Sequence, residues 1–238
     1  MIHLKDLKKV FPANVVAVEN MNLDIDSGTI TCLIGPSGCG KTTTLKMINR
    51  IIEPSFGNIE INKLNIFKTN PVEWRKKIGY VIQKIGLFPH LTILENISIL
   101  SKVLKKDSQW IKERTDYLLN LVGLNPKQYC QRYPMELSGG QQQRVGIARA
   151  LMEDPPVLLM DEPFGSLDIL NRSSLREEFL HLNQKLKKTI LLVTHDLDEA
   201  FEMGDQIVLM KKGRIIQKGS KSDFKNKPSS KFVEDFLK

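Results

Sequence analysis

A phosphate-loop pattern constrains the fold of this chain more than any other stretch of its sequence. Residues 35–43 read GPSGCGKTT, which fits the pattern G-x-x-x-x-G-K-[ST]. The apolar run GTITCLIG leads into the pattern, and the helical stretch KTTTLKMINRI follows from it. Glycines let the backbone wrap closely with its N–H groups turned inward, so a strand, loop and helix in this order predict an anion cradle. The sequence therefore predicts an α/β fold that binds a nucleoside triphosphate.

The side chains of this loop have separate tasks. Lys41 supplies a mobile positive charge for the β- and γ-phosphates, and the hydroxyl of Thr42 is a hard oxygen ligand for Mg²⁺. The helix that begins near Lys41 adds the positive end of its dipole. The loop alone leaves ATPase, GTPase and kinase open. The predicted nucleotide-binding residues are Gly35, Pro36, Ser37, Gly38, Cys39, Gly40, Lys41, Thr42 and Thr43.

Two adjacent carboxylates follow a second apolar strand. The run VLLMDEP carries Asp161 and Glu162 to the carboxyl end of that strand, where open α/β sheets place their chemistry. Such a pair is costly to bury unless a cation or a water network uses it. We expect Asp161 to hold Mg²⁺ directly or through water, and Glu162 to orient and polarise an attacking water. The alternative is that both acids cap the next helix.

Two further polar residues also follow apolar strands. His195 comes after TILLVT, and Gln83 comes after IGYVI. His195 can contact a γ-phosphate as a donor, although a histidine is more often a surface residue or a satisfied core residue. The amide oxygen of Gln83 can reach Mg²⁺ or the attacking water, a role that spacing alone does not decide.

A second glycine motif, LSGGQQQR at residues 137–144, begins a helix that continues as VGIARALME. Free backbone N–H groups at the start of a helix form an anion site. The chain therefore carries two predicted anion sites.

Strands and helices alternate along most of the chain. The runs GTITCLIG, PVLLMDEP, KTILLVTHD and DQIVLMKKG are typical of strands buried in a mainly parallel sheet, whereas VVAVENMNLDI and GNIEINKLNIF alternate as antiparallel strands do. We predict a single domain over residues 1–238. Residues 1–90 and 155–238 form its core sheet and antiparallel β part, residues 91–154 form an inserted helical subdomain, and the tail from Ser220 forms one or two short helices.

Composition and charge restrict the class of protein but do not identify its ligand. No apolar run approaches the roughly 20 residues that span a bilayer, and MIHLKDLKKVF lacks the apolar core of a secretory signal. The cysteines Cys32, Cys39 and Cys130 are odd in number and have no metal-type spacing, which predicts reduced thiols. The net charge of +8 fits a solvated basic face, nucleic acid or an anionic membrane surface.

In their order along the chain, GPSGCGKTT, VIQ, LSGGQQQR, VLLMDEP, GSLD and VTHD resemble the nucleotide-binding subunit of an ABC transporter, with LSGGQ as the family signature. The resemblance implies a P-loop NTPase of the ABC type, in which a mixed core sheet carries an N-terminal antiparallel β subdomain and an inserted helical subdomain. It implies ATP hydrolysis with ATP and Mg²⁺ as cofactors. In this family two subunits pair head to tail and enclose two ATP molecules, each between one phosphate loop and the partner's signature.

The resemblance also assigns roles to individual residues. Asp168 of GSLD would communicate across the dimer interface. Phe11 stands where the family has an adenine-stacking aromatic residue, commonly tyrosine; the alternative is a core residue packed under Leu4 and Leu7. The implied catalytic residues are Glu162, His195 and Gln83, the magnesium ligands are Thr42, Gln83 and Asp161, and the residues that contact the partner subunit's ATP are Ser138, Gly139, Gly140 and Gln141.

A narrower resemblance concerns cargo. RKKIGYVIQKIGLFPHLTILENI is similar to the osmoprotectant branch, which typically reads VIQQIGLFPH, and Lys84 stands here in place of the second glutamine. This implies an importer of glycine betaine, carnitine or choline. The chain would work as a homodimer, peripheral on the cytoplasmic face of the inner (plasma) membrane, docked on integral permease subunits and served indirectly by an extracytoplasmic solute-binding protein. Many relatives in this branch carry a tandem regulatory domain, and we expect no C-terminal regulatory domain here.

Two alternatives remain. The first is import of another small solute, such as an amino acid or a sulfonate. The second is a chromosome-maintenance or DNA-repair ATPase, in which long coiled coils or metal-binding insertions separate the phosphate loop from the signature. No sustained heptads separate them here, so we expect no nucleic-acid partner.

Overall fold

Strands and helices alternate along most of the chain. The computed structural model describes residues 1–83, 86–165 and 169–237, except for the side chains of residues 169–171. The strands are β1 (Ile2–Phe11), β2 (Val15–Ile25), β3 (Ile30–Ile34), β4 (Phe56–Ile61), β5 (Leu64–Asn65), β6 (Ile78–Val81), β7 (Val157–Asp161), β8 (Thr189–Val193), β9 (Gln206–Lys211) and β10 (Arg214–Gly219). The helices are α1 (Lys41–Ile48), α2 (Pro71–Arg75), α3 (Ile93–Val103), α4 (Ser108–Leu121), α5 (Pro126–Tyr129), α6 (Gly139–Ala150), α7 (Ile169–Leu186), α8 (Leu197–Met203), α9 (Lys221–Asn226) and α10 (Lys231–Phe236).

The chain divides into two compact units. The first unit comprises Met1–Arg75 and Lys188–Lys238, and the second comprises Lys76–Lys187. In the first unit, β1 pairs antiparallel with β2 and β4, and β4 pairs antiparallel with β5. This is the antiparallel β part that the sequence predicts.

The other strands of the first unit form a mixed sheet around β3. Both β8 and β9 run parallel to β3, and β10 returns antiparallel beside β9. Every residue of β3 and β8 is buried, as continuous apolar runs in a covered sheet require. Helix α1 packs on β8 and helix α8 packs on β3. In the parallel register Leu33 lies opposite Val193, so the segments that follow β3 and β8 emerge at the same edge.

The second unit combines a parallel strand pair with a group of helices. Strands β6 and β7 pair from Ile78 opposite Val157 to Val81 opposite Met160. Helices α3, α4 and α6 pack on one another, and α6 also packs on β6. A capping box, in which Thr92 and Glu95 bond each other's backbone N–H groups, fixes the start of α3.

The predicted fold class is confirmed: the chain has mixed α/β architecture with an N-terminal antiparallel sheet and a helical region. The tail forms the two short helices α9 and α10. The single domain with an insertion at residues 91–154 stays a prediction. Among the described residues, no helix combines the length and the apolarity that crossing a membrane requires.

Candidate functional site

The phosphate loop of the first unit joins β3 to α1. Its glycines Gly35, Gly38 and Gly40 have φ angles of +140°, +76° and +107°, a region that L side chains rarely adopt. A Cβ atom on Gly35 would lie 2.2 Å from the carbonyl oxygen of Met210, and one on Gly40 would lie 2.3 Å from that of Ala17. Backbone conformation and space therefore both require glycine at the first and last of these positions.

Lys41 folds back onto this loop. Its Nζ donates to the carbonyl oxygens of Gly35 at 2.7 Å and Pro36 at 3.1 Å, and it lies 3.8 Å from Sγ of Cys39. The lysine is only 7% exposed, whereas Pro36 and Ser37 are exposed. Because carbonyl oxygens hold the ammonium at the loop, its charge is in place for an anion that binds there.

His195 lies at the same edge of the first unit's sheet. The N–H of Thr194 donates to the carbonyl oxygen of Leu33 at 3.1 Å, so the chain leaves β8 beside the end of β3. The exposed side chain of His195 follows directly, while the phosphate loop begins two residues after Leu33. The structure therefore brings His195 and the phosphate loop to one edge.

Phe11 ends β1 opposite Val15 and is half-buried. Leu4 and Leu7 on the same strand are 3% and 0% exposed, so Phe11 is more accessible than the core positions of β1. The ammonium of Lys9 lies 5.2 Å from the centroid of its ring. A partly open ring of this kind can stack on a base.

The second unit carries the paired carboxylates at the carboxyl end of β7. Asp161 is 4% exposed, and Glu162 follows it with a left-handed φ of +46°. Strand β6 runs parallel to β7, which brings Gln83 to the same edge. Nε2 of Gln83 donates to Oε2 of Glu162 at 2.9 Å. The structure therefore joins two of the predicted catalytic side chains directly, and it holds Glu162 in a backbone conformation that is uncommon for a side chain of this size.

Tyr80 on β6 lies close enough to Asp161 for the charge of that carboxylate to affect it. Burial, assisted by the negative charge of Asp161, raises the pKa of Tyr80 to about 12. The phenol therefore stays neutral across the physiological range. The carboxylate of Asp161 contributes negative charge near it.

The donor set fits Mg²⁺ in its chemistry. In the second unit, Asp161 offers carboxylate oxygens and Gln83 offers an amide oxygen, and both are hard ligands. Mg²⁺ is usually bound through one or two carboxylates together with substrate phosphates and waters. The carboxylate of Asp161 is therefore a ligand of the kind that a Mg²⁺–nucleotide complex uses.

The motif LSGGQQQR forms the start of α6. Oγ of Ser138 accepts from the N–H of Gln141 at 3.3 Å, and Oε1 of Gln141 accepts from the N–H of Ser138 at 3.0 Å. This capping box fixes the helix start, where Ser138 and Gly139 are exposed and Gly140 is half-buried. The positive end of a twelve-residue helix therefore lies at the surface of the second unit.

Sequence patterns missed Tyr129, which contacts this motif from another helix. Its hydroxyl accepts from Nε2 of Gln141 at 3.0 Å, and the guanidinium of Arg132 lies 4.9 Å from its ring centroid. Tyr129, Ser138 and Gln141 line a cavity of about 270 Å³. The contact joins α5 to α6, so no local spacing could have signalled it.

Arg144, the last residue of the motif, was also given no role by the sequence. It donates to the carbonyl oxygen of Val122 at 2.9 Å, and its two terminal nitrogens bond the carboxylate of Glu178 on α7. Ser174 adds a hydrogen bond to the same carboxylate at 3.2 Å. The signature helix is therefore anchored to α7 by a bidentate pair.

Cys130, next to Tyr129, offers a test of this segment. Burial, with the hydrogen bond and charge of Asp116, raises the pKa of Cys130 to about 11. Only the thiolate is alkylated, so at pH 8 we expect iodoacetamide to label Cys130 about a hundredfold more slowly in the native chain than in the denatured chain, with the rate rising towards pH 11. Asp116→Asn removes a negative charge, lowers this pKa and should speed native labelling. Peptide mass spectrometry measures both rates; equal rates in the native and denatured chain would contradict the prediction.

The sequence profile of the ABC transporter family, described as "ABC transporter", matches residues 18–165. The chain belongs to this family. The resemblance carried by its motifs is thereby confirmed. Asp168, the predicted communication residue, lies outside the residues that the structure describes, and the roles of the site residues stay predictions.

Relatives named for transport match over the whole of this chain. The choline transport ATP-binding protein OpuBA of Bacillus subtilis (strain 168) is 55% identical over all of this chain and 62% of its own length. The osmoprotectant import ATP-binding protein OsmV of Salmonella typhimurium (strain LT2) is 50% identical over all of this chain and 63% of its own length. The glycine betaine uptake system ATP-binding protein YehX of Escherichia coli (strain K12) is 44% identical over 76% of its length. The chain thus spans less than two thirds of the length of OpuBA and OsmV.

Solved structures agree with the fold. The dimeric structure of MJ0796, a bacterial ABC transporter cassette, matches with a TM-score of 0.82 and 33% identity over 92% of this chain and 98% of that one. A post-hydrolysis dimer of MJ0796 bound to ADP and Pi matches with the same TM-score at 32% identity over the same shares of both chains.

Proposed function

We propose that this chain binds and hydrolyses ATP to energise an ABC importer of quaternary-ammonium osmoprotectants such as glycine betaine, carnitine or choline. The observation that carries the proposal is the phosphate loop, in which two glycines leave no room for a Cβ atom and Lys41 is held against the loop's own carbonyl oxygens. A glycine loop with a lysine held against it is suited to bind phosphate groups.

Nucleotide binding begins at the phosphate loop. The ammonium of Lys41 leaves the loop's carbonyl oxygens and donates to the β- and γ-phosphates instead. The N–H groups of the loop donate to phosphate oxygens, and the ring of Phe11 stacks on the adenine. Thr42, Asp161 and Gln83 are the residues that would hold Mg²⁺, which supplies positive charge that neutralises the phosphates.

Hydrolysis needs a base for the attacking water. The water oxygen bonds to the γ-phosphorus as the bond to the β–γ bridging oxygen breaks, and the proton passes to the carboxylate of Glu162. Gln83 already orients that carboxylate, and His195 donates to the γ-phosphate as its charge shifts. The products are ADP and inorganic phosphate.

A second copy of the chain completes each site. The exposed start of α6, with Ser138, Gly139, Gly140 and Gln141, donates to the γ-phosphate held by the partner's phosphate loop. Asp168 communicates between the two sites. ATP thereby joins the two copies, and hydrolysis removes the contacts that hold them together.

The transport role rests on the similarity of this chain to named transport proteins. The proteins named for choline transport, osmoprotectant import and glycine betaine uptake are 44–55% identical to this chain. We assign to the chain the same place, on integral permease subunits at the cytoplasmic face of the membrane, with a solute-binding protein as an indirect partner.

Uptake in cells tests the cargo. A strain that lacks the gene for this chain is complemented with the wild type or with Glu162→Gln, and uptake of labelled choline, carnitine and glycine betaine is measured. We expect uptake of at least one of them with the wild type and none with the variant. Restored uptake of an amino acid or a sulfonate alone would favour the other importer class, and ATPase stimulation by DNA or RNA would favour the nucleic-acid class.

The contact between Tyr129 and Gln141 gives a prediction for the signature. In Tyr129→Phe the loss of one positioned hydrogen bond is expected to lower the ATPase rate at saturating ATP about fivefold, while nucleotide affinity of the phosphate loop is unchanged. Phosphate release and calorimetry measure the two quantities. Tyr117→Phe, on the exposed face of α4, is the matched control. Equal rates for both variants and the wild type would show that the contact does not position the signature.

A further inference from the structure

The tight turn between β9 and β10 forms a hydrogen bond with the phosphate loop. The N–H of Gly213 donates to the carbonyl oxygen of Cys39 at 3.0 Å. The carbonyl oxygen of Gly213 accepts from the N–H of Glu19 on β2 at 2.9 Å. Arg214 strengthens the second link, because its Nε and Nη2 both donate to the carboxylate of Glu19, at 3.1 and 3.0 Å. One residue of the turn thus connects β2 with the loop.

Position 213 of this turn favours glycine in both backbone conformation and space. Lys212 and Gly213 have φ angles of +47° and +78°, the pattern of a two-residue hairpin turn with both central residues left-handed. A Cβ atom on Gly213 would lie 3.0 Å from the carbonyl oxygen of Ala17 and 3.2 Å from Cα of Val18. The carbonyl of Ala17 is also the group that excludes a Cβ atom from Gly40. The turn and the phosphate loop therefore pack against the same peptide of β2.

The hydrogen bond from Gly213 sets the direction of a donor in the loop. The peptide between Cys39 and Gly40 is trans, so its C=O and N–H point in opposite directions. Holding the Cys39 oxygen towards Gly213 therefore turns the Gly40 N–H away from the hairpin. The next carbonyl, that of Gly40, is held in turn by the N–H of Thr44 at 2.9 Å and its Oγ1 at 3.0 Å. Successive peptide planes at the start of α1 are thus fixed without a ligand.

We propose that Gly213 is a positioning residue of the nucleotide site: its N–H fixes the Cys39–Gly40 peptide so that the Gly40 N–H is aimed at a phosphate before nucleotide arrives. The proposal rests on the proposed function in one respect, that the loop binds a nucleotide. It adds that the β9–β10 hairpin contributes to the affinity for nucleotide. A donor that is already oriented costs less conformational entropy when it binds its ligand.

This role is tested by measuring both the nucleotide affinity and the stability of the same variants. Gly213→Ala forces a Cβ atom against Ala17 and strains φ, which displaces the donor to Cys39. We expect ATP and ADP to bind about fivefold more weakly by calorimetry, the loss of one well-placed hydrogen bond. The matched control is Gly57→Ala: Gly57 has a φ of +94°, and its Cβ atom would lie 2.5 Å from the carbonyl oxygen of Asp6, in the antiparallel sheet. The control should lose stability in denaturant titration and keep the wild-type affinity.

The possible outcomes separate the two claims. The positioning role is overturned if Gly213→Ala leaves the nucleotide affinity unchanged. It is also overturned if Gly57→Ala loses as much affinity, because the loss would then follow from reduced stability alone. Failure of the wild-type chain to bind ATP overturns the proposed function instead. If Gly213→Ala does not fold, Gly213→Asn takes its place, because asparagine tolerates a left-handed backbone while its Cβ atom still presses on Ala17.

Discussion

Glu162→Gln is expected to lower ATP turnover about a hundredfold or more while ATP binding stays within about twofold of the wild type. The amide cannot take the proton of the attacking water, so the chemical step loses its general base. The new side chain keeps the shape of the old one, and its amide oxygen can still accept from Gln83 as Glu162 does at 2.9 Å. With hydrolysis blocked, an ATP-bound dimer should accumulate.

Phosphate release measures the turnover of this variant, and size-exclusion chromatography in saturating ATP and Mg²⁺ measures the dimer. Glu113→Gln, an isosteric change at an exposed position of α4, is the matched control and should turn over at the wild-type rate. Wild-type turnover in Glu162→Gln would show that Glu162 is not the general base. A monomer in saturating ATP would count against the shared site.

Lys41→Ala is expected to weaken nucleotide binding about tenfold to a hundredfold. The variant loses the charge-assisted hydrogen bonds to phosphate that no other side chain of the loop can supply. Calorimetry with ATP and ADP measures the loss, which should be larger for ATP because it carries the γ-phosphate.

Lys46→Ala is the control for this second variant, since it removes the same charge from the last turn of the same helix. It should bind nucleotide as the wild type does. Equal affinity in Lys41→Ala and the wild type would contradict the role given to this lysine.

The elements that carry the chemistry could be predicted where the signal is local. The buried strands β3, β7 and β8 are continuous apolar runs, and a capping box marks the start of α6. Each of these depends on neighbours in sequence, so periodicity and motif spacing locate them. The placement of Glu162 after a buried strand follows from the same reasoning.

The rest depends on contacts between distant segments. Spacing alone could not decide the role of Gln83, because its contact with Glu162 depends on the pairing of β6 with β7. Sequence patterns missed Tyr129 and Gly213 for the same reason: their hydrogen bonds reach residues outside their own helix or turn. A pattern in one sequence carries no information on which turn packs behind a loop.

The exposed start of α6 has a kinetic consequence. If Ser138 and Gly139 act only on a nucleotide carried by another molecule, the rate per mole of protein depends on how often two molecules meet. Specific activity should then fall on dilution and level off at high protein concentration, and the ATP saturation curve should be sigmoidal. Tethering two chains by a flexible linker would remove the dilution effect by raising their effective concentration.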